Sequence, residues 1–116
     1  MVNYNGRVFT SISNSSNGEV SGQTVFHYKQ QEDLLTAEYS GGGIIKGILI
    51  GIVYEDGSLY FRYNHVNADK QIRSGTCNST AELLSDGRIR LHEKWKWSDG
   101  DQSEGESIVE ECVKYI

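Results

Sequence analysis

The sequence contains no proline and no apolar run long enough to cross a bilayer as a helix. Proline cannot donate a hydrogen bond to the interior of a β-ladder, so its absence is typical of a chain built from sheet. Basic residues are also few, and a net charge of -5 argues against a general nucleic-acid binder, which needs a basic surface. We therefore expect neither a membrane nor a nucleic acid as a partner.

Metal ligands and reactive thiols are scarce as well. Cys77 and Cys112 lack the close spacing of a metal motif, and the three histidines are widely separated in the 116 residues. The segment Met1–Gly6 has no basic region followed by an apolar run, so we expect a cytoplasmic protein with reduced cysteines. No phosphate-binding loop or nucleophile motif is present. The sequence thus predicts no metal and no cofactor.

What the chain does contain is a regular series of turn signals between runs that alternate apolar and polar residues. Such alternation indicates β-strands with one buried face, and Asp-Gly is the strongest signal for a short hairpin. The runs are longer than the usual strand of roughly 5–6 residues, and long neighbouring strands curl until the sheet closes. The predicted two-residue turns are Gln31-Glu32, Gly41-Gly42, Asp56-Gly57, Ala68-Asp69 and Asp86-Gly87.

These signals predict an all-β fold, an eight-stranded antiparallel up-and-down meander barrel of lipocalin-like or calycin-like type. Residues 1–116 form a single β-barrel domain in this interpretation, and pairing of the first and last strands leaves no open edge. A polar segment, Ser13–Gly18, is expected to lie over one mouth of the barrel. The predicted strands are Gly6–Ser13, Gln23–Gln30, Asp33–Ser40, Gly43–Tyr54, Ser58–Asn67, Gln71–Leu84, Arg88–Ser98 and Glu104–Tyr115.

Two-residue loops fix the register, and with it the side chains that point into the barrel. Around Asp56-Gly57 this register places Ile48, Ile50 and Ile52 inward, opposite the aromatic residues of the next strand. Carried through the later turns, it places small polar side chains opposite large ones. The predicted pairs are Thr80 with Glu93, Asn78 with Trp95, and Thr76 with Trp97.

Small polar side chains facing aromatic rings leave space and hydrogen-bonding groups together, as a small-molecule site requires. Eight strands enclose either a packed core or one small ligand, and the sequence leaves both open. Glu93 stands out because an interior carboxylate must be paired, hydrogen-bonded or protonated, and such a group can also act as a general base or acid. The predicted ligand-binding residues are Tyr28, Tyr39, Phe61, Tyr63, His65, Thr76, Asn78, Thr80, Glu93, Trp95 and Trp97.

Three stretches resemble known proteins: Asp86–Trp97, Gly105–Ile108 and Val2–Arg7. The chain is similar along its whole length to short bacterial proteins that carry the label N-acetylglutamate synthase, which implies an acetyltransferase activity without assigning catalytic residues. In architecture it resembles the lipocalin, fatty-acid-binding and avidin group of up-and-down barrels, which implies a small ligand in the interior.

We therefore expect a barrel that holds a partly apolar small molecule of unknown identity. An acetyltransferase and a non-catalytic protein-interaction barrel are the alternatives. Whether any catalysis occurs, and the oligomeric state, stay open at this point.

Overall fold

The computed structural model describes residues 2–113, and within them eight antiparallel strands form a closed barrel. Each strand pairs with its sequence neighbours and β1 pairs with β8, which confirms the predicted up-and-down architecture. The predicted continuation of the last strand to Tyr115 lies outside the described residues. The strands are β1 (Val8–Asn14), β2 (Val25–Gln31), β3 (Leu34–Gly41), β4 (Ile44–Val53), β5 (Leu59–Asn67), β6 (Ile72–Leu83), β7 (Ile89–Trp97) and β8 (Glu104–Glu111). Within residues 2–113, no helix has the length and apolar character needed to cross a membrane.

Three of the hairpins turn through three residues instead of the predicted two. Between β4 and β5, the Tyr54 N–H donates to Ser58 O at 2.9 Å, and Gly57 closes the turn with φ +87°. The same pattern occurs at Lys70 (φ +63°) and at Gly87 (φ +89°). A type I turn followed by a left-handed residue gives this geometry. Each extra residue shifts the register by one and so exchanges the inner and outer faces of a strand.

The faces of β4 are therefore the reverse of those predicted. Leu49 and Val53 point into the barrel, whereas Ile48 and Ile50 are 54% and 58% exposed and Ile52 is also exposed. Their predicted inward orientation is wrong because the β4–β5 loop has three residues and a bulge shifts the β3–β4 pairing. The two shifts cancel, so β3 still has the predicted inward face.

The faces of β6 are reversed for a similar reason. This strand lies between two three-residue loops, so Cys77 and Ser79 point inward while Thr76, Asn78 and Thr80 lie on the outer face. The predicted inward orientation of these three residues is wrong. Because the two loops compensate each other, β7 returns to its predicted faces. At the β2–β3 turn the loop is Glu32-Asp33 in place of the predicted Gln31-Glu32. The pairing of β2 with β3 therefore shifts by two residues, which leaves every face unchanged.

One end of the barrel is filled by side chains. The Phe9 and Tyr28 rings lie 4.8 Å apart in a layer that includes the fully buried Leu35, Leu59 and Leu91. The segment before β1 folds across this end. In that segment Tyr4 is fully buried, with its ring 6.3 Å from Phe9 and 6.1 Å from Tyr28 and its hydroxyl donating to the backbone oxygen of Gly57. This end of the barrel, the closed end, is therefore sealed.

At the other end, large rings face glycines on the neighbouring strand. Tyr39 lies opposite Gly47, Tyr63 opposite Gly75, and Trp95 opposite Gly105. A Cβ atom on any of these glycines would come within 2.2–2.3 Å of the facing side chain. The glycines therefore let the rings lie against the barrel wall, and the centre of this end is not filled.

The register of β6 can be tested by thiol labelling. Cys112→Ser leaves Cys77 as the sole cysteine, and adding Asn78→Cys places a second thiol one position along the strand. We expect the thiol at position 78 to react with a disulfide reagent at least about 100-fold faster than the buried Cys77, which reacts only through opening of the barrel. Fast labelling at 77 with protection at 78 would contradict the observed register.

Candidate functional site

The unfilled end of the barrel holds an interior cavity. The centres of water molecules can occupy about 50 Å³ of it, beneath the loop of residues 15–24 that joins β1 to β2. Among the predicted site residues, those that line the cavity are Tyr39, Phe61, Tyr63, His65, Glu93, Trp95 and Trp97. Tyr28 also points inward but lies one layer deeper, packed against Phe9. Thr76, Asn78 and Thr80 do not line the cavity, because they lie on the outer face of β6.

Other lining residues were missed by the sequence analysis. Cys77 and Ser107 contribute to the wall beside Glu93, and Asn14, Gly18, Glu19 and Val20 contribute to the cover. Cys77 was missed because the predicted faces of β6 were reversed. Glu19 directly follows the predicted polar segment Ser13–Gly18, whose composition predicts a loop but not the contacts of its neighbours.

Glu93 lies on β7 directly between two serines of the adjacent strands. The Ser107 hydroxyl donates to Oε1 at 3.0 Å and the Ser79 hydroxyl donates to Oε2 at 3.2 Å. Both serines are the register partners of Glu93, so the pairing of β6, β7 and β8 builds this arrangement. Burial raises the pKa of Glu93 to about 7, although hydrogen bonds from Ser107, Ser79 and Cys77 favour the carboxylate.

A chain of hydrogen bonds runs from the cavity to its mouth. The Tyr39 hydroxyl lies 3.0 Å from His65 Nδ1, and His65 Nε2 lies 2.9 Å from Glu19 Oε1. Because an ionised carboxylate only accepts, His65 Nε2 carries the proton in this contact, and a neutral imidazole then accepts from Tyr39 at Nδ1. Burial raises the pKa of Tyr39 far above its usual value, so this hydroxyl stays a donor.

Glu19 fastens the covering loop to the barrel. Its Oε2 accepts from Arg73 Nη1 at 2.6 Å, and Arg73 Nε donates to Asp99 Oδ1 at 2.8 Å. The guanidinium lies over the Trp97 ring, 3.9 Å from its centroid. Although burial acts in the opposite direction, hydrogen bonds from His65 and Asn67 and the charge of Arg73 hold the pKa of Glu19 below its usual value. Six residues form what is called the mouth cluster below: Glu19, His65, Asn67, Arg73, Trp97 and Asp99.

Both tryptophans also hold the chain segment that covers the cavity. Trp97 Nε1 donates to the Asn17 backbone oxygen at 3.1 Å, and Trp95 Nε1 donates to Asn14 Oδ1 at 3.2 Å. The two side chains therefore serve two purposes, since they line the cavity and their N–H groups position its cover.

The chain belongs to the avidin-like family. Residues 2–112 match the model of that family, which is described as avidin-like protein. No curated protein and no solved structure gives a match. Membership of this family agrees with the closed eight-stranded barrel described above.

The activity named in the label N-acetylglutamate synthase belongs to enzymes of a different fold. Acetyltransferases of that activity receive the pyrophosphate of coenzyme A at the N-terminus of a helix. Residues 2–113 consist of strands and connecting loops without a helix. The described part of the chain therefore offers no such binding element.

The buried carboxyl group makes stability depend on pH. Since the pKa of Glu93 is higher in the folded protein than in the unfolded chain, the unfolded chain loses this proton first, and stability falls as pH rises from about 4.5 to about 7. We expect Glu93→Gln to gain up to about 3 kcal/mol relative to the unmodified protein between pH 4.5 and pH 8. Denaturant unfolding at both pH values measures this change.

Glu106→Gln is the matched control, because Glu106 is an exposed glutamate next to Ser107 on the adjacent strand. Its stability should follow that of the unmodified protein at both pH values. If the stability of Glu93→Gln also changes with pH in parallel with that of the unmodified protein, the raised pKa of Glu93 is contradicted.

Proposed function

We propose that this protein binds a small molecule in the interior cavity, at the end of the barrel opposite the closed end. The observation that carries the proposal is a buried carboxyl group, held by two serine hydroxyls, at the base of a cavity walled by aromatic rings. Apolar walls with a few fixed polar groups are the usual composition of a small-molecule site. Membership of the avidin-like family supports the same class of function.

The size of the cavity limits what fits beneath the loop. A volume of about 50 Å³ is well below the roughly 300–1,000 Å³ of pockets that hold drug-sized ligands. With the loop in its present position, the cavity accepts a ligand of only a few non-hydrogen atoms. A larger ligand binds only when residues 15–24 move away from the barrel end.

Among the described residues, the lining of the cavity offers no activated thiol. The thiol of Cys77 is the strongest nucleophile in the cavity lining. Burial together with the charge of Glu93 raises its pKa well above the usual value. A thiol that stays protonated is a poor nucleophile. Glu93, its serine partners and Tyr39 instead offer fixed hydrogen-bonding positions for a bound molecule.

Fluorescence titration tests the proposal directly. The chain has two tryptophans, and both line the cavity, so a ligand that enters it should change the emission. The panel contains small amines, alcohols, amides and carboxylates, with biotin added because the family takes its name from the biotin-binding protein avidin. We expect at least one compound to bind saturably, and Glu93→Gln to weaken that binding at least about tenfold.

Glu106→Gln serves as the control here too, since its side chain is exposed and outside the cavity lining. Its affinity should match that of the unmodified protein. The proposal is overturned if no member of the panel changes the emission and crystals soaked with the same compounds hold only water in the cavity.

The loop of residues 15–24 should control the rate of binding. Glu19→Gln removes the charge that pairs with Arg73 and so weakens the attachment of the loop, while leaving the cavity floor unchanged. We expect both the association and the dissociation rate constants to rise, because the loop leaves the barrel end more often. Stopped-flow fluorescence with the tightest member of the panel measures both rates.

Glu55→Gln is the control for this experiment, because Glu55 is an exposed glutamate in the β4–β5 loop at the closed end. It should leave both rate constants unchanged. Unchanged rates in Glu19→Gln would mean that the ligand does not enter past this loop.

A further inference from the structure

The charges around the cavity are unevenly distributed. Glu19 and Glu93 line it, whereas no lysine or arginine is among its lining residues in the described part of the chain. The nearest cation described above, Arg73, lies in the mouth cluster, where it bonds to both Glu19 and Asp99. Two carboxylates thus share one guanidinium at the mouth, and the carboxyl group of Glu93 faces the interior without a cation beside it.

Glu93 also retains capacity to accept hydrogen bonds. An ionised carboxylate has about four acceptor positions. Two are used by the hydroxyls of Ser79 and Ser107. Glu93 lines the cavity, so a donor group bound there can use the remaining acceptor capacity.

The aromatic walls supply a second feature that attracts positive charge. The Trp97 ring is tilted 63° from Trp95 and 69° from Tyr63, with centroids 5.6 and 5.8 Å apart. Rings inclined in this way do not stack on one another, and the negative face of an aromatic ring attracts a cation. Trp97 already makes such a contact with Arg73 at the mouth.

We propose that the ligand of this cavity is a small organic cation, such as a protonated amine, a guanidinium or an amidinium. Its charged group lies against the Glu93 carboxylate and its body lies among the rings of Tyr63, Trp95 and Trp97. This inference rests on the proposed function and narrows its ligand class. A carboxylate or phosphate ligand would instead bring a further negative charge beside Glu93 with no cation to offset it.

Binding of a cation should be linked to loss of the Glu93 proton. Burial raises the pKa of Glu93 to about 7, so in acid the cation must displace a proton, and affinity should rise as pH rises through 7. Any pH dependence of binding that survives in Glu93→Gln has a source other than Glu93. Four other titratable groups interact electrostatically with Glu93 and have pKa values raised by burial: Tyr28, Tyr39, Tyr63 and Cys77. Glu19 and His65 line the same cavity.

Methylguanidinium and N-methylurea make a matched test, since they are similar in size and shape and differ in charge. Each is titrated at pH 6, 7 and 8 while tryptophan emission is followed. We expect methylguanidinium to bind at least about tenfold tighter than N-methylurea at pH 8, as a charge-assisted hydrogen bond predicts. The preference should shrink at pH 6, disappear in Glu93→Gln and persist in Glu106→Gln.

The possible results separate the two proposals. Equal binding of both compounds, or tighter binding of N-methylurea, overturns the cationic ligand class and leaves the cavity as a ligand site. The same holds if neither binds while another member of the panel does. If nothing in the whole panel binds, both proposals fail. The pH dependence is measured on the unmodified protein, so the test does not depend on the folding of Glu93→Gln.

Discussion

The closed hydrogen-bond ladder is the constraint on which the rest of this structure depends. Each strand has two neighbours, so a one-residue shift between two strands cannot be absorbed at a free edge and must be compensated elsewhere around the barrel. The three-residue loops before and after β6 compensate each other, as do the bulge and the loop beside β4. This compensation brings Ser79 directly beside Glu93 and so builds the floor of the cavity.

The same constraint explains which parts of the molecule could be predicted from the sequence. The strand number, the barrel and the inward faces of β2, β3, β5 and β7 follow from alternation, and they include Glu93 and both tryptophans. In β4, apolar residues such as Leu49 and Ile50 occupy both faces, and in β6 small residues such as Cys77 and Asn78 do so. Alternation cannot choose a face there, so the assumed loop length decided the result. Asp-Gly fits a two-residue loop and the end of a three-residue loop equally well.

A signal that could have resolved both strands is the pairing of glycines with rings. Gly47 and Gly75 lie opposite Tyr39 and Tyr63, where a Cβ atom would collide with the facing side chain. The rings are large and inward-facing on β3 and β5, so a glycine in the adjacent strand belongs on the same face. Applied to β6, this rule turns Gly75, and with it Cys77 and Ser79, toward the interior. The remaining contacts, above all those of Glu19, depend on a loop whose path no periodicity encodes.

Three carboxylates at one end of the barrel have different environments and therefore different properties. For Glu19 and Asp99, burial is outweighed by hydrogen bonds and by the charge of Arg73, so the pKa of each lies below its usual value and both stay ionised. For Glu93, burial outweighs the serine hydroxyls and the pKa is raised. The first two hold the covering loop and the Trp97 ring in place. The third weakens the folded state when it ionises, which is typical of a polar group placed for a purpose other than stability. At the closed end the fully buried Tyr4 and Phe9 contribute stability by removing large apolar surfaces from water, and such burial offsets the cost of an interior carboxylate.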